Sequence, residues 1–266
     1  MATSLPVLNC LNFYFILHNI DFKIMILGRL EGERRTCRTS TTDNAPKIII
    51  LKSIERRIDM PQNMLKNIKR LGHAGFAINV QDKVIVIDPF QIKESVSADI
   101  ILITHSHYDH CSVEDIDKIK KPYTVIVTEA ESAKKLSGDV RVVKPGDKIT
   151  ISGIDIKAVE AYNTNKSFHP KKNGWLGFII TVDGIRIYHA GDTDLIPEMD
   201  EFEADIALLP VSGTYVMTAE EAVEAAKRLK PEIAIPMHFD SIVGSKNDAI
   251  KFKKDLEGIC EVELMS

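Results

Sequence analysis

The chain has 266 residues, with 34 Lys+Arg against 38 Asp+Glu, 44% hydrophobic and 6% aromatic residues, the balance of an ordinary globular protein and not of a disordered or fibrous one. A formal net charge of −4 argues against a generalised basic surface for nucleic acid, and the length suffices to bury a substantial core. The four cysteines, Cys10, Cys37, Cys111 and Cys260, form no C-x-x-C pair, so neither a disulfide framework nor a cysteine zinc knot is expected, and a reducing, cytoplasmic setting is.

The apolar stretch at residues 8–27 is broken by Asn9, Asn12, His18, Asn19, Asp21 and Lys23, which speaks against a membrane span of about 20 apolar residues. No basic residue precedes it and no A-x-A site follows it, so a secretory signal is not expected either. Residues 1–63 carry nine Lys+Arg against six Asp+Glu, a formal +3, whereas residues 64–266 carry −7. The early segment shows no sustained period of 2 or 3.6, and two readings stay open for it: a poorly ordered extension, or upstream sequence before a natural start at Met64. Residues 64–266 are expected to form one domain.

From Met64 the pattern is strand-like through LKNIKRL, GFAINV and KVIVIDP, with a turn at Gln81 and Asp82. Further β-branched apolar runs predict strands at 99–104, 123–128, 154–161, 175–182, 185–188, 205–209 and 232–236. Helices are predicted at 112–120, 130–136, 218–229 and 246–256, with Thr218 and Glu221 forming a capping box and Pro231 following the third. Strands and helices interleave without repeats, which points to a single α/β domain.

The strand DIILIT runs directly into His105, Ser106, His107, Tyr108, Asp109 and His110. In extended chain, positions i and i+2 share a side, so His105 and His107 reach one ion while the following turn lets Asp109 and His110 face a second. Imidazole with carboxylate suits Zn²⁺, Mn²⁺ or Fe²⁺. Other candidates lie at later strand ends: Asp192 in HAGDTD, where Gly191 permits a sharp turn, and His238 in MHFD.

These motifs resemble the metallo-β-lactamase superfamily. THSHYDH matches its H-x-H-x-D-H motif, and HAGDTD and MHFD match, in order, its bridging-aspartate and final-histidine motifs. The resemblance covers roughly residues 64–266 and is greatest to the small lactonase-like branch of metal-dependent hydrolases, which LGHAGFAI and GWLGFII also resemble. It implies a four-layer αββα sandwich of two facing mixed sheets flanked by helices. It also implies that His105, His107 and a later histidine hold one metal, that Asp109, His110 and His238 hold a second, and that Asp192 bridges both. The later histidine falls between His110 and His189, where His169 is the only histidine; Asn163 and Asn165 are the alternatives. Asp109 is the implied catalytic acid–base, acting on a metal-bridging hydroxide.

Secondary candidates are Asp88, as an acceptor for a ligand histidine or a plain Asp-Pro turn, and His73, pointing into the site or satisfied in the core. His189 reads as structural or as a support for a ligand. Ser212, Thr214 and Tyr215 stand near the expected mouth without assigned contacts. The expected function is hydrolysis of a small molecule, such as a lactone or a phosphorylated sugar derivative, using two divalent ions, zinc first and manganese or iron next. No nucleic-acid or membrane partner is expected, and a homo-oligomer stays open. The alternatives are a phosphodiesterase or RNA-processing nuclease, disfavoured by the −7 of residues 64–266, and a non-catalytic metal-binding protein, disfavoured because no motif residue is missing.

Overall fold

The computed structural model describes residues 60–265. The possible early start and most of the expected extension therefore lie outside the described residues. Residues 60–65 are helical (α1) and Lys66 and Asn67 turn the chain, so the strand-like reading from Met64 is corrected. Met60 and Met64 sit one helical turn apart and both pack on the core, a spacing of four that outcompetes the apparent period of two.

The strands follow as β1 (Ile68–Gly72), β2 (Gly75–Val80), β3 (Lys83–Ile87), β4 (Ala98–Leu102), β5 (Lys120–Thr128), β6 (Asp139–Val142), β7 (Lys148–Ile151), β8 (Ile154–Glu160), β9 (Leu176–Val182), β10 (Ile185–His189), β11 (Ile206–Pro210), β12 (Ile233–Met237) and β13 (Glu261–Val262). The helices after α1 are α2 (Val113–Ile119), α3 (Ala130–Ala133), α4 (Ala219–Leu229) and α5 (Lys246–Asp255). One sheet has six strands in the order β1-β2-β3-β4-β5-β6, and the other has seven in the order β13-β12-β11-β10-β9-β8-β7. Each sheet is mixed: β1–β3 and β7–β10 pair antiparallel, while β3–β6 and β10–β13 pair parallel.

Strand alternation builds two cores at once. In the first sheet Phe76, Ile78, Ile85, Ile87, Ile100, Leu102 and Val127 face the second sheet, which answers with Ile156, Phe178, Ile180 and Ile187. Their neighbours Ala77, Val86, Ile101 and Ile126 face the other way and are covered by Ile116 and Ile119 of α2. Strands buried on both faces are unbroken apolar runs. Helices α4 and α5 pack on the outside of β11 and β12, completing the four-layer αββα sandwich. The predicted capping box at Thr218 and Glu221 is present, and the chain leaves α4 through Lys230 in the left-handed region.

Several boundaries differ from the sequence expectation. Strands β6 (DVRV) and β7 (KITI) were not predicted; both are four residues long and together fully bury only Ile151, so neither carries a buried apolar run. The helix expected at 130–136 stops at Ala133. The Gln81–Asp82 turn is as expected, with both residues at positive φ, 48° and 63°, the geometry of a tight two-residue hairpin. Among the described residues no helix is long and apolar enough to cross a membrane.

Candidate metal centre

The candidate residues converge because they follow strand ends on one edge of the sandwich. Asp88 follows β3, His105 to His110 follow β4, Asp192 follows β10, His238 follows β12, and His73 lies in the β1–β2 turn. His169 comes from the long connection between β8 and β9. His73, Asp88 and His238 have φ of 41°, 44° and 59°, left-handed values uncommon for residues that carry a side chain. Gly191 has φ +64°, and a Cβ there would lie 2.5 Å from the Leu176 carbonyl oxygen. Gly191→Ala is therefore expected to cost about 2–4 kcal/mol in urea unfolding, from strain plus overlap with backbone; a change below 0.5 kcal/mol would refute this role for the turn.

Two groups of side chains form, joined by a third made of His105, His110 and Asp192. The ligand atoms of His105, His107 and His169 lie within 4.8 Å of one another, as do those of His73, Asp109, His110 and His238. Asp192 stands between them. Its Oδ1 is 3.2 Å from His110 Nε2, and its Oδ2 is 3.2 Å from His169 Nε2, 3.1 Å from His238 Nε2 and 4.0 Å from His105 Nε2.

The outward nitrogens of four histidines are held by neighbours, which fixes what faces inward. His110 Nδ1 donates to Asp88 Oδ2 at 2.8 Å. The Thr104 hydroxyl donates to Asp88 Oδ2 at 2.6 Å and so accepts from His105 Nδ1 at 2.9 Å. His169 Nδ1 has only acceptors near it, Asn163 Oδ1 at 3.1 Å and the Tyr215 carbonyl at 3.2 Å. Ser212 Oγ is 3.1 Å from His238 Nδ1. With these Nδ1 atoms engaged, the Nε2 atoms of His110, His169 and His238 are the ones turned toward Asp192. His107 is reversed: its Nδ1 meets His105 Nε2 at 3.0 Å, so two basic nitrogens converge on one point.

This arrangement fits a metal by what it leaves unsatisfied. The Nε2 atoms of His110, His169 and His238, both nitrogens of His73 and Asp192 Oδ1 are buried without a hydrogen-bond partner, against the rule that buried polar atoms are paired. Cations between them would satisfy these atoms together. The electrostatics agree. Burial pushes the Asp192 carboxyl up, but the imidazoles of His110 and His238 hold it well below the usual carboxylate range. Burial works against charge on His110, yet Asp192 and Asp88 on either side raise it well above the ordinary imidazole value. Burial, with His110 adjacent, takes His105 well below that value. The carboxylates thus demand positive charge in this cluster.

A family model described as the beta-lactamase superfamily domain matches residues 67–238. The chain belongs to this superfamily. It is 36% identical over 207 residues to a UPF0173 metal-dependent hydrolase of Thermoplasma acidophilum, covering 71% of this chain and 91% of that one. It is 35% identical over 198 residues to another of Methanoculleus marisnigri, covering 70% and 87%. Among solved structures, a metallo hydrolase from the archaeon Ignicoccus hospitalis has a TM-score of 0.64 at 26% identity, covering 75% of this chain and 94% of that one. A proposed zinc-dependent hydrolase from Thermotoga maritima has a TM-score of 0.54 at 28% identity, covering 74% and 97%. This protein is a metal-dependent hydrolase of the same superfamily.

Several residues of the hydrolase have a clearer place than sequence alone gave them. Asp88 accepts from a cluster histidine, the stronger of its two readings. His73 points into the cluster: its Nε2 is 3.3 Å from Asp109 Oδ2 and its ring is 4.1 Å from that of His238. His189 stays outside, with Nε2 donating to the Ala74 carbonyl at 2.9 Å and Nδ1 accepting from Gly191 N at 3.2 Å, so it is structural. Asn163 supports a histidine, since its Oδ1 accepts from His169 N at 2.8 Å. Asn165 is exposed, with its Oδ1 taken by Lys166. Thr104 was missed altogether; its position between a strand end and His105 was the available signal.

Proposed function

We propose that the protein is a two-ion hydrolase in which His105, His107 and His169 hold one divalent ion, Asp109, His110 and His238 hold the other, and Asp192 serves both. The observation that supports this reading most is the position of Asp192, whose carboxylate oxygens approach histidines of both groups within 3.2 Å. His73 stands with the second group as an additional donor. Zinc is the first choice, in keeping with the imidazole-rich donor set and with the description of the Thermotoga relative. When bound, such ions supply Lewis acidity and lower the pKa of water toward neutrality.

The chain's own residues do the rest. Asp109 orients the attacking water and receives its proton at Oδ2. Its side chain is 14% exposed and stands 3.9 Å from His110 Nε2, so it borders solvent and the cluster at once. Burial pushes its carboxyl up, but the His73 side chain beside it, followed by His110, holds it below the usual range, so it is ionised near neutral pH and accepts hydrogen bonds from the water. His107 and Asp109 are half-buried and Tyr108 between them is exposed, whereas His105 and His110 are buried; the substrate enters over this turn. The substrate is a small molecule, with a lactone or a phosphorylated sugar derivative as the first classes to try.

Purified protein is expected to carry up to two transition-metal ions per chain by elemental analysis. It is expected to open lactones in a reaction stopped by chelation and restored by zinc, manganese or iron(II). Uptake of fewer than two ions per chain after reconstitution with each ion would overturn the two-ion reading. Turnover of bis(p-nitrophenyl) phosphate without turnover of lactones or thioesters would keep the metal centre and reassign the substrate to phosphodiesters.

A further inference from the structure

We infer that Arg70 is a positioning residue for the second group, clamping together the turns that present His73 and His238; the inference rests on the two-ion reading above. Arg70 lies near the end of β1, where the pairing register with β2 shifts between Arg70 and Gly72. Its Nη2 donates to the His73 carbonyl at 3.2 Å and to the Phe239 carbonyl at 2.9 Å, the latter 169 residues away. The guanidinium carbon lies 4.2 Å from the centre of the Phe239 ring. The His73 carbonyl also accepts from His238 N at 3.1 Å, so one guanidinium and one backbone hydrogen bond lock the two turns together.

The backbone on both sides needs such a lock. His73, His238 and Asp240 have φ of 41°, 59° and 55°, conformations that relax to ordinary values unless neighbouring contacts hold them. A planar guanidinium donates to two carbonyls while stacking on an aromatic ring, whereas a lysine ammonium does not reproduce both contacts. Burial of the guanidinium works against its charge, although Asp240 favours it. Arg70 is half-buried, its Nε has no hydrogen-bond partner, and an apolar side chain would cover Phe239 without that desolvation. What the arginine adds is a fixed distance between His73 and His238, both of which face the second ion.

Cobalt(II) titration followed by visible absorption tests this. His107→Ala leaves the second group as the intact one, and His238→Ala leaves the first. Adding Arg70→Met to His107→Ala is expected to weaken cobalt binding by about 10- to 100-fold, the loss typical when a ligand's support is removed, and to change the cobalt absorption spectrum. The same substitution added to His238→Ala is expected to leave cobalt affinity within about threefold, well below that range. Arg70→Lys is expected to fall between, and it is read by the same two criteria where Arg70→Met does not fold. Equal weakening in both backgrounds, or unchanged affinity and spectrum at the second group, would overturn the inference even if the thermal midpoint falls. Wild-type protein that takes up fewer than two cobalt ions per chain would instead overturn the two-ion reading itself.

Discussion

Asp192→Ala is expected to release both ions and abolish hydrolysis, whereas His107→Ala is expected to reduce occupancy at one site. The difference follows from geometry. His107 meets only the first group, with its Nδ1 3.0 Å from His105 Nε2. Asp192 lies within 3.2 Å of His110, His169 and His238, and it is the carboxylate that balances positive charge between the groups. On the two-ion reading its loss would leave a buried cluster of imidazoles without the shared carboxylate, and two cations bound there would repel each other the more strongly in a low dielectric. Each ion's affinity is expected to fall well beyond the 10- to 100-fold lost with an outer partner. Elemental analysis after gel filtration reads occupancy, and circular dichroism confirms folding. Asp192→Asn keeps the shape and removes the charge, so it is expected to behave like Asp192→Ala. Retention of either ion at wild-type affinity in both variants would refute the shared role.

How far the sequence revealed this centre depended on how local the information was. THSHYDH was legible as a cluster because one strand end and one turn place its side chains, and neither depends on distant packing. Asp192 and His238 were readable because strands in a sheet bring their ends to one edge. The aim of His73 was not, since it is set by Arg70, by Phe239 and by the backbone of His238, contacts that join opposite ends of the domain. Asn163 was open for a related reason: an amide oxygen suits either a metal or a backbone N–H, and only the fold puts His169 N in its path. Within the fold, the double-faced strands announced themselves through unbroken apolar runs, while the four-residue β6 and β7 stand at sheet edges with little to bury.

His169→Ala is expected to lose the first ion and turnover together while keeping the fold. The resemblance implied this residue without a local motif, so the case rests on its surroundings. His169 is 1% exposed although it comes from a long connection, and its Nε2 is buried without a hydrogen-bond partner, 3.2 Å from Asp192 Oδ2. Its other nitrogen meets only acceptors, Asn163 Oδ1 and the Tyr215 carbonyl, at 3.1 and 3.2 Å. That surrounding turns Nε2 inward, toward Asp192 and the first group. Asn163 also donates from Nδ2 to the Tyr215 carbonyl at 2.9 Å, so it holds both the histidine and the loop that supports it. Asn163→Ala is therefore expected to weaken the first ion by about 10- to 100-fold, less than His169→Ala does, and Asn165→Ala is expected to change nothing. A buried histidine without this role would still cost stability on truncation but would leave metal affinity unchanged. Metal titration of the three variants beside wild type decides the matter: first-site affinity retained in His169→Ala, or lost more severely in Asn163→Ala than in His169→Ala, would remove His169 from the ligand set and put an amide oxygen in its place.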